Sequence, residues 1–147
     1  MKVIKGQSLF EVVLALAVVT LITVAIVILS ADSVRNSTFS KNKTLSSRYT
    51  QEAIEWLRNE RDSDSSVFLT HVAVPTYCLD SLSWSNIGSC LSGEKVSGTT
   101  LTRQANFSSS VISGKNIVEA VVTVSWNDAQ GYHEVRSTTN FSDTRQK

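Results

Sequence analysis

Residues 12–31 carry no charge, and seventeen of these twenty are apolar. At 1.5 Å per residue, residues 12–29 as a helix span about 27 Å, the hydrocarbon thickness of a bilayer crossed with little tilt. The run is too long for the core of a cleaved secretory signal, and Ile28 and Leu29 stand where a signal peptidase needs small residues. A membrane helix is therefore predicted. From Asp32 onward the chain turns polar, yet neither glycine nor proline interrupts it before Pro75. Apolar or semi-apolar positions recur at Val34, Thr38, Leu45, Tyr49, Ala53 and Trp56/Leu57, which is one stripe of an amphipathic helix, faint around 40–43. Residues 51–62 form its strongest stretch: Glu55 and Arg58 can pair on the wet side, while Ile54, Trp56 and Leu57 offer apolar surface to whatever follows. One helix over 7–62 would extend about 84 Å; the alternative is a separate amphipathic helix after a break near 37–42.

Ser63-Asp64-Ser65-Ser66 ends the helical pattern, and the rest reads as strands and loops. Within 117–126, Val118, Ala120, Val122, Val124 and Trp126 alternate with Glu119, Thr123 and Ser125, so one face of this strand is core. Residues 127–131 make a turn, and 132–141 return with Val135 and Phe141 on one side. Residues 103–109 suggest a third strand, giving a small antiparallel sheet for Trp56 and Leu57 to pack on. The expected fold class is α+β.

Composition narrows the function. Charge is balanced, net +1 overall, with +2 in residues 1–62 and −1 in residues 63–147. The C-terminal part thus has no basic face for a phosphate backbone, and no nucleic-acid partner is expected. It holds 25 Ser/Thr, which limits its core and favours a covalent staple or a helix to pack on. Lys2 and Lys5 precede the apolar run and orient the N-terminus to the cytoplasm, placing everything after Ser30 outside. In that compartment Cys78 and Cys90, the only cysteines, are expected to form a disulfide worth about 3 kcal/mol in the chain-entropy model. Zinc is disfavoured, because His71 and His133 do not complete a four-ligand site with them. Neither histidine has a convincing catalytic partner, and both are expected at the surface. No phosphate loop or nucleophile elbow is present, so no cofactor, metal or enzyme activity is expected. Four sequons, at Asn36, Asn42, Asn106 and Asn140, are expected by chance in so Ser/Thr-rich a chain.

Glu11 is what a plain anchor leaves unexplained. It abuts a run fit for lipid, where a carboxylate is costly unless neutralised or paired. The sequence Lys5-Gly6-Gln7-Ser8-Leu9-Phe10-Glu11-Val12 resembles the processing site of type IV prepilins and type II secretion pseudopilins. The resemblance implies cleavage after Gly6 by a membrane-embedded prepilin peptidase and methylation of the new N-terminus at Gln7. Glu11 then becomes the fifth mature residue, the family's glutamate, facing an N-terminal ammonium on this or a neighbouring subunit. Gln7 departs from the usual phenylalanine and Phe10 from the usual aliphatic residue; the first departure is commoner in minor subunits. The helix also lacks the family's frequent proline. Residues 51–62 resemble the helix end of minor subunits of the V and I types.

The resemblance implies a leader over 1–6, a transmembrane and filament-core helix over 7–30, an amphipathic stem over 31–62 and a β-rich head over 63–147. It implies a structural subunit of a pilus or secretion-like filament, whose partners are the peptidase, other pilin or pseudopilin subunits, the inner-membrane assembly platform and the membrane itself. It places the chain in the inner membrane with the head outside, and then in a periplasmic or extracellular filament. Asp128 and Asp143 are similar in kind to calcium ligands of major pseudopilins, but two scattered acids make no oxygen cage. The rival reading is a membrane-tethered binding module or adhesin.

Overall fold

The computed structural model describes residues 7–112 and 115–142. The elements are α1 (Gln7–Ser63), α2 (Ser65–Val72), β1 (Thr76–Cys78), β2 (Thr102–Ile112), β3 (Lys115–Asp128) and β4 (Gly131–Ser142). The fold is α+β and pilin-like in architecture: a long N-terminal helix followed by an antiparallel sheet of order β1-β2-β3-β4. The chain divides into two compact units, residues 1–40 and residues 41–147.

Over residues 12–31 of the first unit the helix is uncharged and apolar on every side. Its two threonines spend their hydroxyls on the helix itself: Thr20 Oγ1 donates to the carbonyls of Leu16 and Ala17, and Thr23 Oγ1 to that of Val19, at 2.8–3.0 Å. Neither threonine hydroxyl is left unpaired on the run, as lipid favours. Among the described residues this is the one helix long and apolar enough to cross a membrane, with a stretch of mean hydropathy 3.2.

In the second unit, α1 buries Ser46, Thr50, Ala53, Ile54 and Leu57. The spacing of four, three, one and three is the inward face of an α-helix; it keeps Ala53 and Leu57 of the expected stripe but takes Ser46 and Thr50 where Leu45 and Tyr49 were expected. Small Ser46 and Thr50 begin that face, and Thr50 Oγ1 donates to the Ser46 carbonyl at 2.7 Å. Leu57 and Ile54 join Phe68, Val72, Tyr77, Leu79, Ala105, Phe107, Val118, Ala120, Val122 and Phe141 in one core.

The sheet supplies that core by strict alternation. Val118, Ala120, Val122, Val124 and Trp126 are all buried, as expected from the pattern. β3 pairs with β4 from Asp128↔Gly131 to Ile117↔Ser142, so Val124 faces Val135 and Val118 faces Phe141. The hairpin closes through Ala129 and Gln130. Gly131 adopts φ 116°, where a side chain would be strained. β2 pairs along its whole length with β3, and short β1 forms the far edge.

One expectation is corrected here. Residues 65–72 are helix, not strand or loop. The Asp64 carboxylate accepts from the backbone N–H groups of Ser66 (2.9 Å) and Val67 (3.1 Å), which makes the serine-rich stop of α1 also the N-cap of α2. Phe68 and Val72, one turn apart, then anchor α2 in the core.

Candidate functional site

The sequence places the candidate chemistry at the N-terminus of α1. Lys2, Lys5 and Gly6 lie outside the described residues; Gln7 is the first residue of α1, and its side chain is also outside them. Glu11 follows Gln7 by four positions, so helix geometry sets it one turn further along the same face, about 6 Å away in rise. Glu11 is exposed and opens a run in which every large apolar side chain is exposed, from 49% at Val18 to 72% at Leu21. Nothing among the described residues covers this surface. An apolar helix with a carboxylate at its base needs either lipid or other helices around it, and a cation or a proton for the carboxylate.

The second unit holds the Cys78–Cys90 disulfide, with Cα atoms 4.7 Å apart. Glu94 lies beside the two sulfurs, within 4.8 Å, but sulfurs bonded to each other hold no metal, and the Glu94 carboxylate accepts the Leu91 N–H at 2.7 Å. The loop that the disulfide closes is set against β1: Cys78 N–H donates to the Asn86 carbonyl and Gly88 N–H to the Thr76 carbonyl, both at 2.9 Å. Trp84 from this loop reaches the helices. Its ring stacks on His71 at 4.7 Å and meets Trp56 at 4.7 Å, and its indole N–H donates to the Glu60 carboxylate at 2.8 Å. Trp56 therefore packs on the loop, while Leu57 enters the core, a division the sequence did not anticipate.

Both histidines depart from the expected surface position. His71 is half-buried against Trp84, and His133 Nε2 lies 2.9 Å from Asp128 Oδ1. Asp128 also accepts from the Gln130 N–H (2.8 Å) and the Trp126 indole (3.3 Å). Burial raises its pKa, but the bonds from Gln130, His133 and Trp126 outweigh this and leave it lowered. The carboxylate is thus committed to the β3–β4 turn. Asp143 lies outside the described residues.

Arg103 is the residue that sequence reasoning missed. Taken only as the start of a strand, it is 3% exposed on the inward parity of β2, between Leu101 and Ala105. Its Nε donates to the Leu79 carbonyl at 2.8 Å, and one terminal nitrogen donates to the Glu52 carboxylate at 2.9 Å. Burial lowers its pKa, while the hydrogen bond and charge of Glu52 oppose the shift. The arrangement ties the β1–β2 loop, β2 and α1 together. An arginine at an inward strand position was the available signal, since such a cation needs a carboxylate nearby.

No known protein family, characterised protein or solved structure matches this chain.

Proposed function

We propose that the chain is a structural subunit, a minor pilin or pseudopilin, of a type IV pilus or a type II secretion-like filament. It is a substrate of maturation rather than an enzyme: prepilin peptidase cuts after Gly6, with Lys2 and Lys5 held on the cytoplasmic side, and Gln7 becomes the methylated N-terminus. The observation that carries the reading is Glu11 at the base of a fully exposed apolar helix whose following domain is a closed α+β head.

The energetics favour a role for that one carboxylate. Moving a Leu/Val/Ile helix from lipid into a bundle of like helices exchanges one apolar surrounding for another, so the hydrophobic effect contributes little and packing decides. A carboxylate taken into the same bundle unpaired costs several kcal/mol. Pairing with the N-terminal ammonium of a neighbour removes that penalty at one register only. Glu11 therefore sets which subunits join and at what offset, while the assembly platform draws them from the inner membrane and the head remains on the outer side.

The test is the intact mass and N-terminal sequence of the protein purified from its own membranes. A methylated Gln7 is the expected start. A mature chain beginning at Met1 overturns the reading and leaves the helix as a plain anchor.

A further inference from the structure

The outward face of the sheet carries a feature that neither the stem nor the core uses. Pairing sets Thr102, Ser125 and Glu134 in one row across β2, β3 and β4, and Gln104, Thr123 and Arg136 in the next. All six sit on the parity opposite to buried Arg103, Ala105, Val122 and Val124, so they face away from the core. The middle strand presents the short hydroxyls of Thr123 and Ser125, and both flanking strands present long side chains. Short in the centre and long on either side makes a trough, and these residues with Asn106 and Tyr132 line an open groove of about 150 Å³. Its flanks are two strand spacings apart, about 9.5 Å.

The lining residues themselves are polar without net charge, and the nearby Lys95 ammonium is tied to Thr102 Oγ1 at 2.7 Å. Arg136 Nε pairs with Glu134 Oε1 at 2.8 Å, which cancels the two charges against each other. Gln104 Nε2 donates to Asn106 Oδ1 at 3.0 Å, and that oxygen also accepts from Thr76 Oγ1 at 3.1 Å. The hydroxyls of Thr123 and Ser125 have no side-chain partner among the described residues. At the end of the trough Tyr132 is 63% exposed, with its phenol donating to Glu134 Oε2 at 3.0 Å. An exposed, tethered aromatic ring beside amides, hydroxyls and a self-neutralised ion pair offers one apolar face and many mixed donors and acceptors. Phosphates or metal ions would need a net charge of one sign. A flat peptide strand would need an edge rather than a trough.

The geometry points to a binding site for a neutral oligosaccharide, with a sugar ring stacked on Tyr132 and its hydroxyl groups bridging Gln104, Thr123, Ser125 and the Glu134–Arg136 pair. This site is independent of the filament reading, since it involves only the sheet of the second unit.

The full chain, purified in a phosphocholine detergent that brings no sugar of its own, is tested by saturation-transfer NMR against maltotriose, cellotriose and chitotriose. Saturation transfer to at least one trisaccharide is expected, falling at least tenfold in both Tyr132→Ala and Gln104→Ala, two exposed or half-exposed positions on different strands. Tryptophan emission confirms that each variant is folded. No transfer to any of the three, or transfer that survives either substitution, overturns the proposal.

Discussion

The two units use apolar residues in opposite ways. In residues 9–29 every large apolar side chain is exposed, and the helix satisfies its own threonine hydroxyls. In residues 41–147 most of the large apolar side chains close into one core, with Ile87, Leu91 and Val111 left outside it, and even an arginine is buried there with its bonds made. The first unit is finished only by a surrounding that the chain does not supply, whereas the second is finished by itself. The same hydrophobic effect stabilises the head intramolecularly and commits the helix to lipid or to other helices. Substitutions should therefore separate into two groups: those that alter assembly but not head stability, and those that do the reverse. All three tryptophans, Trp56, Trp84 and Trp126, lie in the second unit, so their fluorescence reports on the head alone.

The largest expected effect is in the first unit. Glu11→Ala should leave the head's unfolding midpoint unchanged and still be processed, but filament incorporation should fall to near background. Comparing sheared filaments with the membrane fraction by immunoblot measures this, and undiminished incorporation would remove the assembly role of the carboxylate. The mirror-image change is Leu57→Ala. Leu57 is fully buried, and truncating it should destabilise the head by about 2–5 kcal/mol in urea unfolding followed by tryptophan emission. Membrane insertion should not change. If Glu11→Ala lowered head stability by a comparable amount, the separation between the units would fail.

Next in size is the disulfide. Cys78 and Cys90 are 12 positions apart, and removing the bond with the pair Cys78→Ser and Cys90→Ser should cost about 3 kcal/mol. The double variant also loosens the segment that carries Trp84 onto Trp56 and His71. A red-shifted emission maximum in the folded state, beyond the lowered midpoint, is expected. A midpoint equal to that of the parent protein would show that the Trp84 contacts hold the loop without the covalent bond.

How much of this was legible in the sequence depends on how many interactions fix each element. A helix long and apolar enough to cross a membrane needs only composition and length, and the β3–β4 hairpin needs only alternation, since Val118, Ala120, Val122, Val124 and Trp126 declare one face without reference to anything distant. Ala53 and Leu57 lie on the inward face of α1 as the stripe predicts, but Ser46 and Thr50 take the places expected for Leu45 and Tyr49, because these residues, polar by type, are small enough to be buried against the second unit's interior. Arg103 escaped notice because its partners Glu52 and Leu79 are distant in sequence, and alternation alone does not say that an inward arginine will find a carboxylate. The groove was equally hidden, since its shape follows from which short residues of β3 fall between long ones of β2 and β4. Of the candidate N-terminal site, Gly6 and Glu11 were read from a local motif. That motif is contiguous in sequence, so it is legible before any folding.

The smallest predicted effect concerns the junction between α1 and α2, which the serine-rich stop concealed. The Asp64 carboxyl is held below its usual pKa first by the Ser66 hydroxyl and then by the Val67 N–H, with burial opposing them and the Ser66 N–H adding to the lowering. A depressed folded-state pKa means that this charge stabilises the head fully above the unfolded carboxylate value, about 3.9, and progressively less as pH falls through the folded value. Asp64→Asn keeps an oxygen able to cap α2 and removes only the charge, so its deficit isolates that contribution. The variant should be slightly less stable than the parent protein at pH 6, and the difference should narrow below about pH 4 until the two midpoints coincide. Asp128, also lowered, titrates in the same direction in both proteins and so cancels from the difference. A gap between the two that stays constant down to pH 2.5 would mean that α2 is held by Phe68 and Val72 alone and that the cap's charge is incidental to the head.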